Sequence, residues 1–94
     1  MVEIRWSPKS ADDFDNIISF IALNSEIYAK IFATNMMQFI EDIPRFPFAG
    51  RIVPEYKIPT LRERIYRNYR IVYRILGNDV ELVTITHGFR LLKI

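Results

Sequence analysis

The sequence predicts an α+β fold with the element order β-α-α-β-β-β, in which a mainly antiparallel sheet carries a helical hairpin on one face. Three observations support this class. Two early segments carry apolar residues at helical spacing, three late segments alternate as strands do, and a proline-rich stretch separates the two groups. Because the chain has 94 residues and no internal repeat, we expect one domain over residues 1–94 with a single modest core.

The first half of the chain is predicted to form a short strand and two helices. The alternating run 2–6 indicates the strand, and Ser7 is expected to cap a helix that begins at Pro8. Ser25 is expected to cap a second helix, and the short joint at 23–25 predicts an antiparallel hairpin. The expected buried stripes are Phe14, Ile17, Ile18 and Ile21 in the first helix, and Tyr28, Phe32, Met36, Phe39 and Ile43 in the second.

The second half begins with an irregular connection and continues as three strands. Four prolines and Gly50 between about 44 and 60 argue against regular structure there. The predicted strands are Leu61–Arg67, Tyr69–Leu76 and Val80–Phe89, with tight turns at Asn68 and at Gly77-Asn78-Asp79. A single sheet that receives both helices on one face is the economical arrangement of these elements.

Side chains alternate along a strand, so each predicted strand has two faces. The faces expected to receive the helices carry Leu61 and Ile65, then Tyr69, Ile71, Tyr73 and Ile75, then Val83, Ile85, His87 and Phe89. The opposite faces carry Arg62, Arg64 and Tyr66, then Arg70, Val72, Arg74 and Leu76, then Leu82, Thr84, Thr86 and Arg90. Guanidinium groups beside a tyrosine suit phosphates and stacked bases, and they also suit an acidic peptide. The plain alternative is an ordinary solvated sheet face.

The distribution of charge agrees with an anionic partner for the second half of the chain. Residues 1–45 carry seven acidic and four basic groups, whereas residues 46–94 carry four acidic and nine basic groups. The absence of cysteine excludes disulfides and thiolate zinc sites, and a single histidine makes a protein-built metal site implausible. We therefore expect no metal and no cofactor. No apolar run reaches the length of a membrane span, so we expect a soluble cytoplasmic protein without membrane contact.

For His87, the strand pattern and the chemistry of the side chain suggest different roles. Strict alternation places it on the core side, where a hydrogen-bonded structural histidine is the common outcome. Gly88 follows directly and could permit a bulge or bend that turns the imidazole elsewhere. A catalytic role for His87 is the alternative interpretation.

Five segments of the chain together resemble the RelE/ParE superfamily of type II toxins, also described as plasmid stabilisation proteins. They are Ile4-Arg5-Trp6-Ser7-Pro8, Pro47-Phe48-Ala49-Gly50-Arg51-Ile52-Val53-Pro54-Glu55, Leu61-Arg62-Glu63, Tyr69-Arg70-Ile71-Val72-Tyr73-Arg74 and His87-Gly88-Phe89-Arg90. The resemblance covers essentially the whole chain. It implies a small sheet with a helical hairpin, and a toxin that arrests growth until a cognate antitoxin wraps and neutralises it.

The resemblance implies two alternative activities. RelE-like members cleave mRNA in the ribosomal A site, whereas ParE-like members poison DNA gyrase. Arg70 matches the arginine of the Tyr-Arg-x-x-Tyr strand that the nucleases use, Arg90 matches an arginine at the end of their last strand, and Arg62 and Arg64 lie near basic positions of their cleft. The chain departs from the nucleases after Arg90, where it ends in Leu91-Leu92-Lys93-Ile94 instead of carrying a tyrosine or histidine.

RNA cleavage would need a base, an acid and a group that stabilises the pentacovalent phosphate. The candidate catalytic residues are Arg70, Arg90, Arg62 and His87. The candidate target-binding residues are Arg62, Arg64, Tyr66, Arg70, Arg74 and Arg90. Because arginine is a poor base, the proton acceptor would have to be His87, Glu63, Glu55 or a tyrosine such as Tyr66. The alternatives are a gyrase-binding toxin without chemistry of its own, and a basic nucleic-acid- or protein-binding domain without toxicity.

Overall fold

The structure is a computed structural model that describes residues 3–88 and 90–94. Its elements are β1 (Ile4–Trp6), α1 (Pro8–Ala22), α2 (Glu26–Asp42), two 3₁₀ turns (Ile43–Arg45 and Pro47–Ala49), β2 (Arg51–Ile52), β3 (Leu61–Tyr66), β4 (Tyr69–Leu76) and β5 (Asp79–His87). The predicted α+β class and the order of the predicted elements are confirmed. Of the predicted strand residues, Val2 and Phe89 lie outside the described part of the chain.

The five strands form one sheet in the order β1-β5-β4-β3-β2. The pairs β2–β3, β3–β4 and β4–β5 are antiparallel, whereas β1 joins β5 in parallel. The two-residue strand β2 lies inside the stretch that the sequence predicted to be irregular. It can form because the chain between Pro47 and Pro54 includes two residues that pair with β3, and Arg51 lies opposite Glu63 there.

Both helices begin as the sequence predicts. The Ser7 side chain accepts a hydrogen bond from the Ser10 N–H, and the Ser25 side chain accepts one from the Tyr28 N–H. Such a cap satisfies one of the N–H groups that a helix leaves unpaired at its start. The two helices pack against each other, and α1 packs against the end of the sheet formed by β1 and β5.

The main core lies between the helices and one face of the sheet, which we call the helix face. Its buried residues are Phe32, Met36, Ile40, Ile43, Ile71, Tyr73, Ile75, Val80, Leu82 and Ile85. The predicted stripe of α1 packs against this core from its edge. In α2 the prediction was wrong for Tyr28, which is half exposed, because the helix instead buries Ala29 and Ile40 toward the sheet.

The opposite face of the sheet, which we call the outer face, carries a second and smaller cluster. It consists of Val53, Leu61, Val72 and Leu92, with Val83 packed against it. Leu92 belongs to the C-terminal tail, so the end of the described chain folds back across the outer face. Leu61, predicted to face the helices, therefore belongs to the outer face.

A bulge in β5 changes the faces predicted for that strand. Val72 pairs with Thr84 but the next residue, Tyr73, pairs with Leu82, so Val83 is the extra residue. Leu82, predicted to point outward, is fully buried in the main core, and Val83, predicted to face the helices, packs with the outer cluster. A bulge reverses the alternation for every residue before it, which simple counting along the strand cannot detect.

Candidate functional site

The predicted arginine-rich face does not exist as one surface. The turn between β3 and β4 contains two residues, Arg67 and Asn68, and Arg67 adopts a left-handed φ of 56°. A two-residue turn pairs the residues that flank it, so Tyr66 lies opposite Tyr69 on the same face. The prediction extended the strand to Arg67 and so assigned β3 to the wrong faces. Arg62, Arg64 and Tyr66 consequently lie on the helix face, whereas Arg70 and Arg74 lie on the outer face.

The three β3 side chains on the helix face contact the protein itself. Tyr66 packs against the rings of Phe32 and Phe39 of α2, with centroid distances of 5.6 and 5.1 Å. The Arg64 guanidinium lies 5.9 Å from the centroid of the Phe39 ring. Tyr66 thus contributes to packing at the edge of the core, and Arg64 covers the same aromatic group from the solvent side.

Arg62 holds the irregular connection against the sheet. Its Nε donates to the Pro59 carbonyl at 2.7 Å, and its Nη1 donates to the carbonyls of Phe48 and Gly50 at 3.3 and 3.1 Å. The guanidinium also lies 5.0 Å from the centroid of the Phe48 ring. These contacts account for most of its donors.

Arg70 is buried on the outer face, which contradicts the prediction that it is exposed. Only 5% of the residue is accessible, and its partner Glu63 is 1% accessible. Nε and Nη2 of Arg70 both donate to Glu63 Oε1, and the two Nη atoms donate to the two carboxylate oxygens of Glu55. Nη1 also donates to the Arg90 carbonyl at 3.3 Å. A guanidinium has five N–H groups, so all of them have a partner within the protein.

The buried cluster continues to Arg51 and to the C-terminal tail. Arg51 Nε donates to Glu63 Oε2 at 2.5 Å, so both oxygens of this buried carboxylate are paired. Glu55 Oε2 accepts the Leu92 N–H at 3.0 Å. The hydrogen bonds from Arg70, and then the one from Leu92, lower the pKa of Glu55 to about 2, although its partial burial opposes this. The pKa of Arg70 is raised, chiefly by its hydrogen bonds to Glu55.

Arg74 lies farther along the outer face and is the more exposed of the two β4 arginines. Its side chain is 40% accessible, and its Nη1 lies 3.9 Å from Glu81 Oε1. A surface ion pair at this distance contributes little to stability. Arg74 therefore has the solvent access that the sequence analysis expected for all five arginines.

His87 and Arg90 come together at a groove between α1 and the end of β5. The groove has a volume of about 550 Å³, and its lining includes Lys9, Asn16, Tyr69, Thr86, His87 and Arg90. His87 pairs with Tyr69 on the helix face, with their rings edge to face at 5.9 Å. It is nevertheless exposed, because it lines the open groove between α1 and the end of β5. We call this feature the α1–β5 groove.

Asp13 is the acidic residue in the lining of this groove, and it has a structural role. Its Oδ2 accepts the Thr84 hydroxyl at 2.5 Å and the Ile85 N–H at 3.1 Å, at the edge of β5 beyond the end of β1. Its Oδ1 pairs with Lys9 at 2.8 Å. Burial acts to raise the pKa of Asp13, but the hydrogen bonds from Lys9, Thr84 and Ile85 lower it overall. Thr84, predicted to be exposed, is buried by this contact.

Of the predicted site residues, the structure brings together only His87 and Arg90 in a groove that solvent can reach. Arg70 contacts the Arg90 backbone but lies in the buried cluster. Arg62, Arg64 and Arg74 lie outside the groove. Lys9 and Asn16 were not predicted to line a groove, although their spacing of seven residues places them on one face of α1. Glu55 and Glu63 were named only as possible bases. The correct β3–β4 turn would have placed Glu63 beside Arg70, whereas no local signal indicated Glu55.

Comparisons with known proteins agree with the fold. The sequence profile described as "ParE toxin of type II toxin-antitoxin system, parDE" matches residues 4–92. A search of curated protein sequences finds no match. No helix in the described part of the chain is both long and apolar enough to cross a membrane.

Three solved structures share the architecture at low sequence identity. A chain of the chromosomal ParDE toxin–antitoxin system from P. aeruginosa superposes with a TM-score of 0.76 at 19% identity, covering 93% of this chain and 96% of that one. A conserved hypothetical protein from Helicobacter pylori gives 0.58 at 16%, covering 93% and 94%. A chain of the heterotetrameric YoeB–YefM toxin–antitoxin complex from Staphylococcus aureus gives 0.55 at 17%, covering 95% and 99%.

These structural matches bear on the fold, whereas the profile match extends over nearly all of the sequence and bears on the family. The profile begins in β1 and ends in the tail at Leu92, so it includes both helices, the whole sheet and the buried Arg70 cluster. The chain belongs to the ParE toxin family of type II toxin–antitoxin systems.

Proposed function

We propose that this toxin arrests growth by binding DNA gyrase and not by cleaving RNA. The observation that carries the proposal is the state of Arg70, the residue that matches the nuclease arginine. Each of its five N–H groups already has a carboxylate or carbonyl partner, and the residue is 5% accessible. A phosphate could reach this guanidinium only by displacing Glu55 or Glu63, and these two carboxylates would also repel it.

The candidate bases are also poorly suited to proton transfer. Glu63 is buried with both oxygens paired to arginines, and the pKa of Glu55, at about 2, is too low for an efficient base near neutral pH. Tyr66 packs against the aromatic rings of α2. These features support a toxin that acts by binding. The exposed parts of Arg64, Arg74 and Arg90 remain our candidates for contacts with the target.

Ribosome-dependent mRNA cleavage is the second candidate, and one observation favours it. His87 and Arg90 line the same accessible groove, so an imidazole and a guanidinium could face one phosphate. The chain contains no second histidine to complete an acid–base pair. The ribosome would have to supply the missing group.

Purified toxin added to gyrase and to translating ribosomes separates the two activities. We expect loss of supercoiling and accumulation of cleaved DNA with gyrase, and intact mRNA on ribosomes. Toxin mixed with its antitoxin is the control in both assays. Ribosome-dependent cleavage by the wild-type chain that disappears in His87→Ala, with supercoiling unaffected, would overturn the proposal in favour of the nuclease.

We further propose that the toxin is cytoplasmic and is neutralised there by a cognate antitoxin that is partly disordered when free. The antitoxin binds an apolar stripe at the turn of the helical hairpin. The stripe consists of Phe20, Leu23, Ile27 and Ile31, which are 68%, 82%, 76% and 53% accessible. Several large apolar side chains exposed at the end of one helix and the start of the next are typical of a protein–protein interface. A helix of the antitoxin laid across this stripe would cover it in a toxin–antitoxin complex.

Charge substitutions in the stripe test this part of the proposal. Leu23→Glu and Ile27→Glu should abolish neutralisation by the antitoxin, because a carboxylate would have to be buried without a partner. Leu91→Glu is the matched control, since Leu91 is 81% accessible and lies in the tail. Co-expression of each variant with the antitoxin, scored by growth, gives the result. Normal neutralisation of both stripe variants would show that the antitoxin binds a different surface of the toxin.

A further inference from the structure

The α1–β5 groove combines positive charge with an aromatic wall, and of its lining residues only Arg90 is among our candidates for contacts with gyrase. Its two cationic groups come from separate parts of the fold, Lys9 from the first turn of α1 and Arg90 from the tail, and the imidazole of His87 on β5 belongs to the same lining. Asn16 and Thr86 add neutral hydrogen-bond donors to the same lining. Donors that approach from several directions suit an anion with several acceptor oxygens.

The charge of the groove remains positive after its internal pairing is considered. Asp13, the one carboxylate among the described residues of the lining, is engaged by Lys9, Thr84 and the Ile85 N–H. Lys9 and Asp13 balance each other, so the guanidinium of Arg90 supplies net positive charge. Because the Lys9 side chain is 66% accessible, its ammonium can also contact a ligand without leaving Asp13.

The rest of the lining is apolar and includes aromatic rings. Ile17 and Phe20 on α1 face Tyr69 and Ile85 on the sheet across the groove. Every nucleobase can stack on an aromatic side chain, because each base has a π-face, and such stacking contributes to binding. An acidic peptide would satisfy the cations but would leave this wall without a counterpart.

We propose that the α1–β5 groove binds a nucleotide, with its phosphate between Lys9 and Arg90 and its base against Tyr69 and Phe20. The nucleotide is either a free mononucleotide or one unit of a single strand, because both present the same phosphate and base. The inference goes beyond the proposed action on gyrase and does not depend on which target the toxin attacks. It assigns a ligand site to a toxin in which Arg70, the residue that matches the nuclease arginine, is paired within the protein.

Nuclear magnetic resonance of the single histidine tests this site directly. His87 is the only histidine in the chain, so its imidazole signals need no assignment, and the only tryptophan, Trp6, provides an internal control because it packs on Phe14 in the core. The probes are adenosine monophosphate, a short oligothymidylate, inorganic phosphate and a hexaglutamate peptide. We expect the two nucleotides to shift the His87 signals saturably and more strongly than phosphate alone, while the Trp6 signal stays in place.

Two variants of equal charge change provide the control. Arg90→Ala should weaken adenosine monophosphate binding by about tenfold, the effect of losing one charged hydrogen bond. Arg74→Ala, on the outer face, should change it by less than about twofold. A response to hexaglutamate but not to nucleotides would overturn the proposal in favour of a protein segment. Equal affinity in Arg90→Ala, or no response of His87 to either nucleotide, would also overturn it. Binding of only one nucleotide probe would support the site and identify its source.

Discussion

Arg70 of β4 and Glu55 of the β2–β3 connection are joined by two parallel hydrogen bonds, Nη1 to Oε2 at 2.6 Å and Nη2 to Oε1 at 2.8 Å. Bidentate hydrogen bonds between charged side chains are stronger than hydrogen bonds between neutral groups. Each partner also holds the C-terminal tail, Arg70 through the Arg90 carbonyl and Glu55 through the Leu92 N–H. The pair thus joins the sheet, the connection and the tail.

We expect Arg70→Ala to lower the free energy of unfolding by about 3–5 kcal/mol, because it leaves the buried Glu63 carboxylate with Arg51 alone. Urea denaturation of the purified variant measures this loss. Arg74→Ala is the matched control on the same strand and should cost less than about 0.5 kcal/mol. Equal stability of the two variants would contradict the structural role of Arg70.

The same variant bears on toxicity. We expect Arg70→Ala to reduce killing in proportion to its loss of folded protein, because Arg70 does not reach the surface. Growth arrest should therefore be measured against soluble toxin at a temperature where the variant is folded. Complete loss of killing by a fully folded Arg70→Ala variant would instead indicate that Arg70 contacts the target.

Acid should weaken the Glu55 contacts in a defined pH window. Because the pKa of Glu55 falls from 4.5 to about 2 on folding, its contribution to stability is present above about pH 4.5 and is lost as the pH falls through about 2. Unfolding of the wild type should therefore become easier across this window. Asp13, whose pKa is also lowered, contributes in the same direction.

Glu55→Gln isolates the contribution of Glu55. The variant should lose about 1–3 kcal/mol at neutral pH, because its charged hydrogen bonds to Arg70 are replaced by weaker ones. Its stability should then fall less than that of the wild type between pH 4.5 and pH 2, while the Asp13 effect persists in both. Parallel pH profiles for the two proteins would exclude Glu55 as a source of acid sensitivity.

The helices and the meander could be predicted because local rules determine them. Ser7 and Ser25 cap the helices as the sequence indicates, and Gly77 takes the left-handed φ of 60° that its turn requires. The pairing across the sheet was harder to predict. The β3–β4 turn has one residue more than predicted, Arg67, and β5 has one extra residue, Val83. Each difference reverses a strand face, and the first of them fell on the proposed arginine face.

The candidate site depended on contacts that are distant in sequence. Arg70 is buried by contacts with Glu55, 15 residues before it, and with Arg90 in the tail, 20 residues after it. An arginine in an alternating strand appears solvent-exposed to any rule based on local pattern, since only the folded connection and tail supply its carboxylate and its cover. His87 was difficult for the opposite reason: alternation gave its face correctly, but α1 leaves a groove beside it instead of burying it.

Arg62 and Arg64, two residues apart on β3, should differ in their effect on stability. Arg62→Ala removes donors to the carbonyls of Pro59, Phe48 and Gly50, so we expect a loss of about 1–2 kcal/mol. Arg64→Ala removes a contact with the Phe39 ring and should cost less than about 1 kcal/mol. Thermal unfolding of both variants checks the order. A larger loss for Arg64→Ala would contradict the assignment of Arg62 to the connection.

Gly50 is required by space and not by backbone conformation. Its φ of −71° suits any residue, but a Cβ at this position would overlap the Tyr73 hydroxyl and lie 2.8 Å from the Glu63 carbonyl oxygen. The Tyr73 hydroxyl donates to the Pro47 carbonyl at 2.6 Å, so the ring cannot move away freely. We expect Gly50→Ala to cost about 2–3 kcal/mol in urea denaturation, as overpacking in a core does.

A double variant separates the two overlaps. Tyr73→Phe removes the hydroxyl, so Gly50→Ala should cost at least about 1 kcal/mol less in the Tyr73→Phe background than in the wild type. Part of the cost should remain, because the Glu63 carbonyl belongs to the backbone of β3 and is held by the pairing of Glu63 with Arg51 and Val72. If the cost of Gly50→Ala is unchanged by Tyr73→Phe, the hydroxyl is not what excludes a side chain at position 50.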